Sequence, residues 1–403
     1  MESRKNNYLI PIIIIGVLFF VIGFALGINS YLVPLLTETL NITSGISYLV
    51  IGATFSAFLI FSYPAAKVIQ KIGYKKTMSL SFLLFAVGFL LFIPSANHAS
   101  LWLFLLASFI SGIGNTFLQA TVNPYITILG PIESAAKRIS IMGVCNKLAW
   151  PVAPVFLAAI IGKNIDQVAL TDINKPFFII VAIFIVLGLL TYFSPLQEIK
   201  AVGEDEEKIA DCPYAASKTS IWQFPHLLLG AVALFLYVGV ETIALATTVD
   251  YAKSVGFDNP EKYAFYPSLG LVVGYVCGIL LIPKYMSQGV ALKICSWLAV
   301  IASLLIVSTP PAFSIWCVSV IALSCSLMWP AIWPLAMVDL GRFTKTGSSV
   351  LVSAIFGGAV IPVLFGLLKD ALGAQSAYWI CFPCFLFILY YGIRGHKIRV
   401  SKR

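Results

Sequence analysis

The chain has 403 residues, of which 60% are hydrophobic and 11% charged; its formal net charge is +9 and its mean hydropathy +0.95. A soluble domain carries about 25% charged residues, so a water-soluble enzyme or nucleic-acid-binding fold is excluded. Long apolar runs recur from residue 8 to residue 393, and a bilayer core of about 30 Å needs roughly 20 such residues per crossing. The expected fold class is an all-α polytopic membrane protein.

The first run follows Glu2-Ser3-Arg4-Lys5 and continues to about Tyr31. It is too long for a signal-peptide core, and no small-residue cleavage site follows it, so it reads as a retained first helix. Twelve spans are predicted: 8–34, 45–68, 77–95, 101–128, 139–161, 176–195, 225–250, 263–283, 290–308, 312–338, 348–368 and 376–393. Residues 196–224 break the pattern with Glu198, Glu204, Asp205, Glu206, Glu207, Asp211 and interspersed lysines. A mixed-charge stretch of this kind reads as a solvated cytoplasmic linker. It separates an N-terminal six-helix bundle, 1–195, from a C-terminal six-helix bundle with a basic tail, 225–403.

The halves echo each other. The fourth and tenth spans both carry a late proline, Pro124 and Pro334, and then Leu-Gly at 129–130 and 340–341. Such duplication is the architecture of carriers whose halves rock about a central site. With the N-terminus inside, the inner segments hold twenty Lys and Arg, the outer loops five, and Lys147 is left in the membrane. This bias satisfies the positive-inside rule, places both termini in the cytoplasm, and leaves the basic tail available to anionic lipid. The loops KVIQKIGYKK, GPIESAAKR and DLGRFTKTGSS either meet when the inner side shuts or form a solvated inner face. None of the eight cysteines builds a metal pattern; Cys381 and Cys384 read as small core residues.

Few polar groups lie inside the spans. Asn29 and Ser30 follow GFALGI in the first; Asn115, Gln119 and Asn123, spaced four apart, share one face of the fourth. Asn146 adjoins Lys147 in the fifth, Glu241 lies in the outer part of the seventh, and Trp329 and Trp333 are four apart in the tenth. The amide stripe suits either helix adhesion or a hydrogen-bonding wall, because amides both donate and accept. With indoles for stacking, the wall suits a neutral polyhydroxylated substrate. Lys147 sits near mid-membrane, where a charge is expensive; it is either a structural ion-pair partner, a substrate ligand, or a fixed charge in place of a cation. Glu241 is either a structural partner, a proton acceptor or an oxygen ligand of a small cation. No nucleophile–base pair, metal spacing or nucleotide-binding loop appears, so no enzyme and no resident cofactor is expected.

Four segments carry a likeness to a known family: GFALGINSYLVPLL, VNPYITILGPIESAAKRISIMGVCN, FLYVGVETIALATTVDY and SLMWPAIWPLAMVDLGRFTKTGSSVLVSAIFGGAVIPVLFG. The chain resembles the fucose:proton symporter family of the major facilitator superfamily, and in particular its glucose/galactose branch, over all twelve spans. The resemblance implies the two-bundle major facilitator fold and sugar uptake across the inner membrane. It also marks departures. The family's acid in the first helix falls at Ser30 and its acid in the fourth at Gln119. Its amide pair in the fifth helix is half kept, with Asn146 retained and Gly143 in the partner's place. Glu241 matches the acid of the glucose/galactose branch, and Gln70 stands where the superfamily loop has an aspartate.

The expected function is uptake of a hexose such as glucose, galactose or fucose by a monomeric secondary transporter, coupled to a proton or sodium ion. Asn29, Ser30, Asn115, Gln119, Asn146 and Lys147 are the expected sugar ligands, Trp329 or Trp333 the stacking face, and Glu241 the coupling residue. The alternatives are a carrier of acidic or N-acetylated sugars, a sugar uniporter, and a non-transporting sugar sensor.

Overall fold

The computed structural model describes residues 9–42, 49–162, 168–199, 213–257 and 265–398, with Ile46 and Tyr263. Among them no strand occurs. The first half holds α1 (Leu9–Thr39), α2 (Leu49–Asn97), α3 (Leu101–Ile128), α4 (Ala135–Ile161) and α5 (Asn174–Phe193). The second holds α6 (Pro225–Ala246), α7 (Phe265–Leu281), α8 (Gln288–Ser308), α9 (Pro311–Cys325), α10 (Met328–Met337), α11 (Thr344–Ala354), α12 (Gly357–Leu372) and α13 (Cys381–Ile393). Ten helical stretches are long and apolar enough to cross a membrane. One is the 49-residue α2, which contains the predicted second and third spans and turns at Gly73 (φ 84°). Phe265–Leu281, at 17 residues, is a shorter apolar helix in the place of the predicted eighth span. The chain divides into two compact units: Met1–Ala57 with Pro64–Lys200, and Phe58–Tyr63 with Ala201–Arg403.

In the first unit α1 lies along α4 and also meets α3. Lipid tails are as apolar as leucine, so helices associate by close packing rather than by burial from water. The segment GFALG supplies the means. A Cβ at Gly23 would collide with the Asn146 carbonyl, and one at Gly27 with the Trp150 carbonyl. A phenylalanine cluster closes the other side: Phe89 stacks on Phe177 at 5.6 Å, and Phe85 and Phe89 meet Phe184 at 5.2 and 5.1 Å.

Two charges that read as topology or solvent-facing groups do other work. Arg138 is 8% exposed. Its guanidinium donates to the carbonyls of Ile126, Thr127, Gly130 and Pro131 and to Ser134 Oγ. The last carbonyls of a helix have no internal partner, and Arg138 supplies one for α3. Glu198, expected to be a solvated linker residue, accepts from Tyr74 N at 2.8 Å and Lys75 N at 3.0 Å. Those are orphan donors just past the turn at Gly73, so the linker's first residues belong to the first unit. Tyr125 Oη donates to Gln197 O at 3.0 Å and fastens the same strand of chain to α3. The linker positions 200–212 lie outside the described residues.

The second unit repeats the glycine device. A Cβ at Gly357 of α12 would strike the Phe235 backbone of α6, and one at Gly239 of α6 would strike the Ile361 side chain of α12. Gly274 of α7 sits against Ser326 Oγ. Three spans predicted as continuous are broken. The tenth stops at Cys325 and restarts at Met328. Pro330 explains this, since its ring lacks the N–H for Ser326 O and would clash with that carbonyl. The eleventh breaks between Ala354 and Gly357, at the Gly357-Gly358 pair. The seventh ends at Ala246 and resumes as the short helix Thr248–Ser254, with Thr247 bonded to Ile243 O at 2.8 Å and to Tyr378 Oη at 2.9 Å. His226 is buried at the start of α6 and bonds Val338 O at 2.9 Å, just beyond α10.

Candidate functional site

In the first unit the site residues come from α1, α3 and α4. The predicted stripe on α3 forms one face: Gln119 Nε2 donates to Asn115 Oδ1 at 3.0 Å, and Asn123 Nδ2 to Gln119 O at 3.0 Å. Asn115 is 1% exposed, Gln119 7% and Asn123 0%. Three buried amides in one helix would be costly unsatisfied, and the bonds along the helix meet part of that demand. Asn123 Oδ1 has no hydrogen-bond partner among the described residues.

On α4, Asn146 Nδ2 donates to Phe19 O of α1 at 3.1 Å. This fixes the amide against the helix whose Gly23 touches its own carbonyl. Lys147 is half-buried, and its Nζ lies 5.7 Å from the centre of the Trp150 ring. A cation over an indole face is held by the ring quadrupole, an attraction of about 1 kcal/mol or more when desolvated. The backbone of α1 carries Asn29 and Ser30, two and three residues beyond the close contact at Gly27; their side chains lie outside the described residues.

In the second unit the site is aromatic and acidic. Trp329 and Trp333 share one face of α10 with rings stacked at 5.3 Å and 26°. Trp333 is 0% exposed, whereas Trp329 is half-buried and is therefore the indole face that remains accessible. The Trp333 Nε1–H has no hydrogen-bond partner among the described residues. Glu241 is buried on α6. Two residues that sequence reading passed over surround it. Tyr237, one turn earlier, has its hydroxyl within hydrogen-bonding reach of the Glu241 carboxylate, and Tyr275 of α7 has its own within reach of Tyr237. Tyr237 also places its ring 6.1 Å from Trp329. The four-residue spacing from Tyr237 to Glu241 is a same-face signal and was available in the sequence; Tyr275 comes from another helix and was not. No cluster of three or more metal-binding side chains occurs among the described residues.

The profile of the Major Facilitator Superfamily matches residues 15–355. The chain belongs to the Major Facilitator Superfamily. It is 33% identical over 404 residues to the glucose/galactose transporter of Brucella abortus, covering 98% of this chain and 96% of that protein. It is 26% identical over 401 residues to the L-fucose-proton symporter of Escherichia coli, covering 92% and 89%. The crystal structure of the E. coli fucose:proton symporter matches it with a TM-score of 0.81 over 98% of this chain and 100% of that one, at 23% identity, which is a likeness of fold. The helical architecture expected from the sequence is thus the superfamily fold, and the chain is a multi-pass membrane transporter rather than an enzyme.

Proposed function

We propose that this transporter takes up a neutral hexose by alternating access, driven by a co-transported proton or sodium ion. The carrying observation is the buried amide ladder Asn115–Gln119–Asn123, three donor-and-acceptor side chains on one face of α3. Asn146 and Lys147 on α4 are assigned as further sugar ligands, as are Asn29 and Ser30 from their sequence positions, while Trp329, backed by Trp333, offers a stacking face. Glu241 is the coupling carboxylate, because among the described residues it is the buried acid of the second unit and it lies one turn from Tyr237, the stacking indole's neighbour. The relatives named as glucose/galactose and L-fucose transporters support a monosaccharide cargo. The protein works as a monomer in the bacterial inner membrane, with both termini cytoplasmic and its basic tail near anionic lipid; no nucleic acid takes part.

A second reading has one observation of its own. Lys147 holds a positive charge where the family pattern has lost acids at Ser30 and Gln119, and it would receive the carboxylate of a uronate. Purified protein in proteoliposomes separates the readings. Glucose, galactose or fucose should accumulate under an imposed proton or sodium gradient and exchange without one. Exchange of glucuronate or galacturonate with none of a neutral hexose would transfer the assignment to acidic sugars. Exchange without accumulation under either gradient would make the protein a uniporter, and ligand binding without any flux a sensor.

A further inference from the structure

We infer that Tyr237 is the positioning residue that links the coupling carboxylate to the sugar platform; this rests on the sugar-transport reading above. Tyr237 is 1% exposed and has two functions built into one rigid ring. Its hydroxyl reaches Glu241 on the same helix and Tyr275 on α7, and its face lies 6.1 Å from Trp329 at 51°. Trp329 in turn is stacked on the fully buried Trp333. Cys325, at the end of α9, is the other titratable side chain near both tyrosines.

A hydrogen bond from a phenol to an ionised carboxylate is about twice as strong as one between neutral groups. While Glu241 is charged, Tyr237 donates to it and the ring is held. When a proton or a sodium ion takes up the carboxylate's charge, that bond weakens. The ring then has less to hold it against Trp329. Packed aromatic clusters move between discrete arrangements rather than deforming smoothly, so a change of one bond at Glu241 becomes a change in the surface offered to the sugar. By linkage, sugar bound on Trp329 alters cation affinity at Glu241 by the same factor. A ring that merely filled space would do none of this, and its hydroxyl would be dispensable.

The test is Tyr237→Phe, which keeps the ring and removes the oxygen, in full-length protein reconstituted beside wild type. Hexose counterflow is measured across a series of proton and sodium concentrations, and accumulation under each gradient. Wild type should show a half-saturation for hexose that depends on the coupling cation. Tyr237→Phe should exchange hexose with a half-saturation within about twofold of wild type at saturating cation, lose that cation dependence, and accumulate about tenfold less, the loss expected for a hydrogen bond to a charged group. Retained cation dependence with wild-type accumulation overturns the inference. So does an equal loss of exchange and accumulation in protein with wild-type thermal stability, which would make Tyr237 a sugar ligand only. Should Tyr237→Phe not fold, Tyr275→Phe, which removes only the outer hydroxyl, is read for the same split. A wild type that moves no hexose at all refutes the sugar reading itself, and is told apart because it shows before any variant is compared.

Discussion

At the scale of single residues, side chains bonded along their own helix were legible and those bonded to distant chain were not. The spacing of Asn115, Gln119 and Asn123 announces a shared face, and the Gln119–Asn115 bond realises it. Gln119→Ala removes a group that is 7% exposed and leaves the Asn115 carbonyl oxygen without that donor. The loss of one hydrogen bond to the sugar costs about 1–2 kcal/mol, so the hexose half-saturation in counterflow should rise about tenfold, with some loss of thermal stability from the orphaned Asn115 oxygen; an unaltered half-saturation would remove Gln119 from the binding wall. Arg138 was not legible in this way. In sequence it is one of several basic residues flanking an inner loop, and only the path of residues 126–131 around its guanidinium reveals a helix cap. Glu241 stood out as a charge among apolar residues, but Tyr275, which reaches its neighbour Tyr237, belongs to a different helix, and no pattern along one helix can report a neighbour across the bundle.

At the scale of elements, glycine decides which helices touch. The two glycines of GFALG are four apart, a spacing that suits close helix packing, yet the spacing does not say against what. The structure answers with α4: Gly23 and Gly27 rest on the carbonyls of Asn146 and Trp150, the two residues that bracket Lys147 on its helix. Close packing therefore sets the position of the polar part of α4 relative to α1. Gly27→Val would force the two backbones apart, and overpacking costs about 1–3 kcal/mol or more where the obstacle is backbone. Purified Gly27→Val should unfold at a distinctly lower temperature than wild type, while Gly52→Ala, whose Cβ meets nothing within 4 Å, should not. Equal melting temperatures for the two variants would contradict the close contact. Span positions were readable because hydrophobic length is dictated by the bilayer. Breaks within spans were less so: Pro330 marks its break, whereas the interruption after Ala246 contains no proline or glycine and falls where Thr247 bonds Tyr378.

At the scale of the whole molecule, hydropathy accounts for the crossings, and each unit has the same internal rule of glycines set on a neighbour's backbone or short side chain. What the overall pattern hid is the order in which the first unit becomes complete. Tyr74 and Lys75 begin the third crossing, but the carboxylate that receives their N–H groups lies 124 and 123 positions later. At a synthesis rate of about 5–20 residues per second, Glu198 leaves the ribosome some 6–25 s after them. During that interval the third crossing starts with two donors left to water or lipid headgroups, and the sixth must be in place before the interval can close. In a pulse-chase experiment with full-length chain, Glu198→Ala should leave the segment around Gly73 open to protease long after wild type has become resistant; simultaneous protection of the two would show that the cap plays no part in maturation. The turn at Gly73 is thus a clock as well as a bend: its closure records that six crossings have been made.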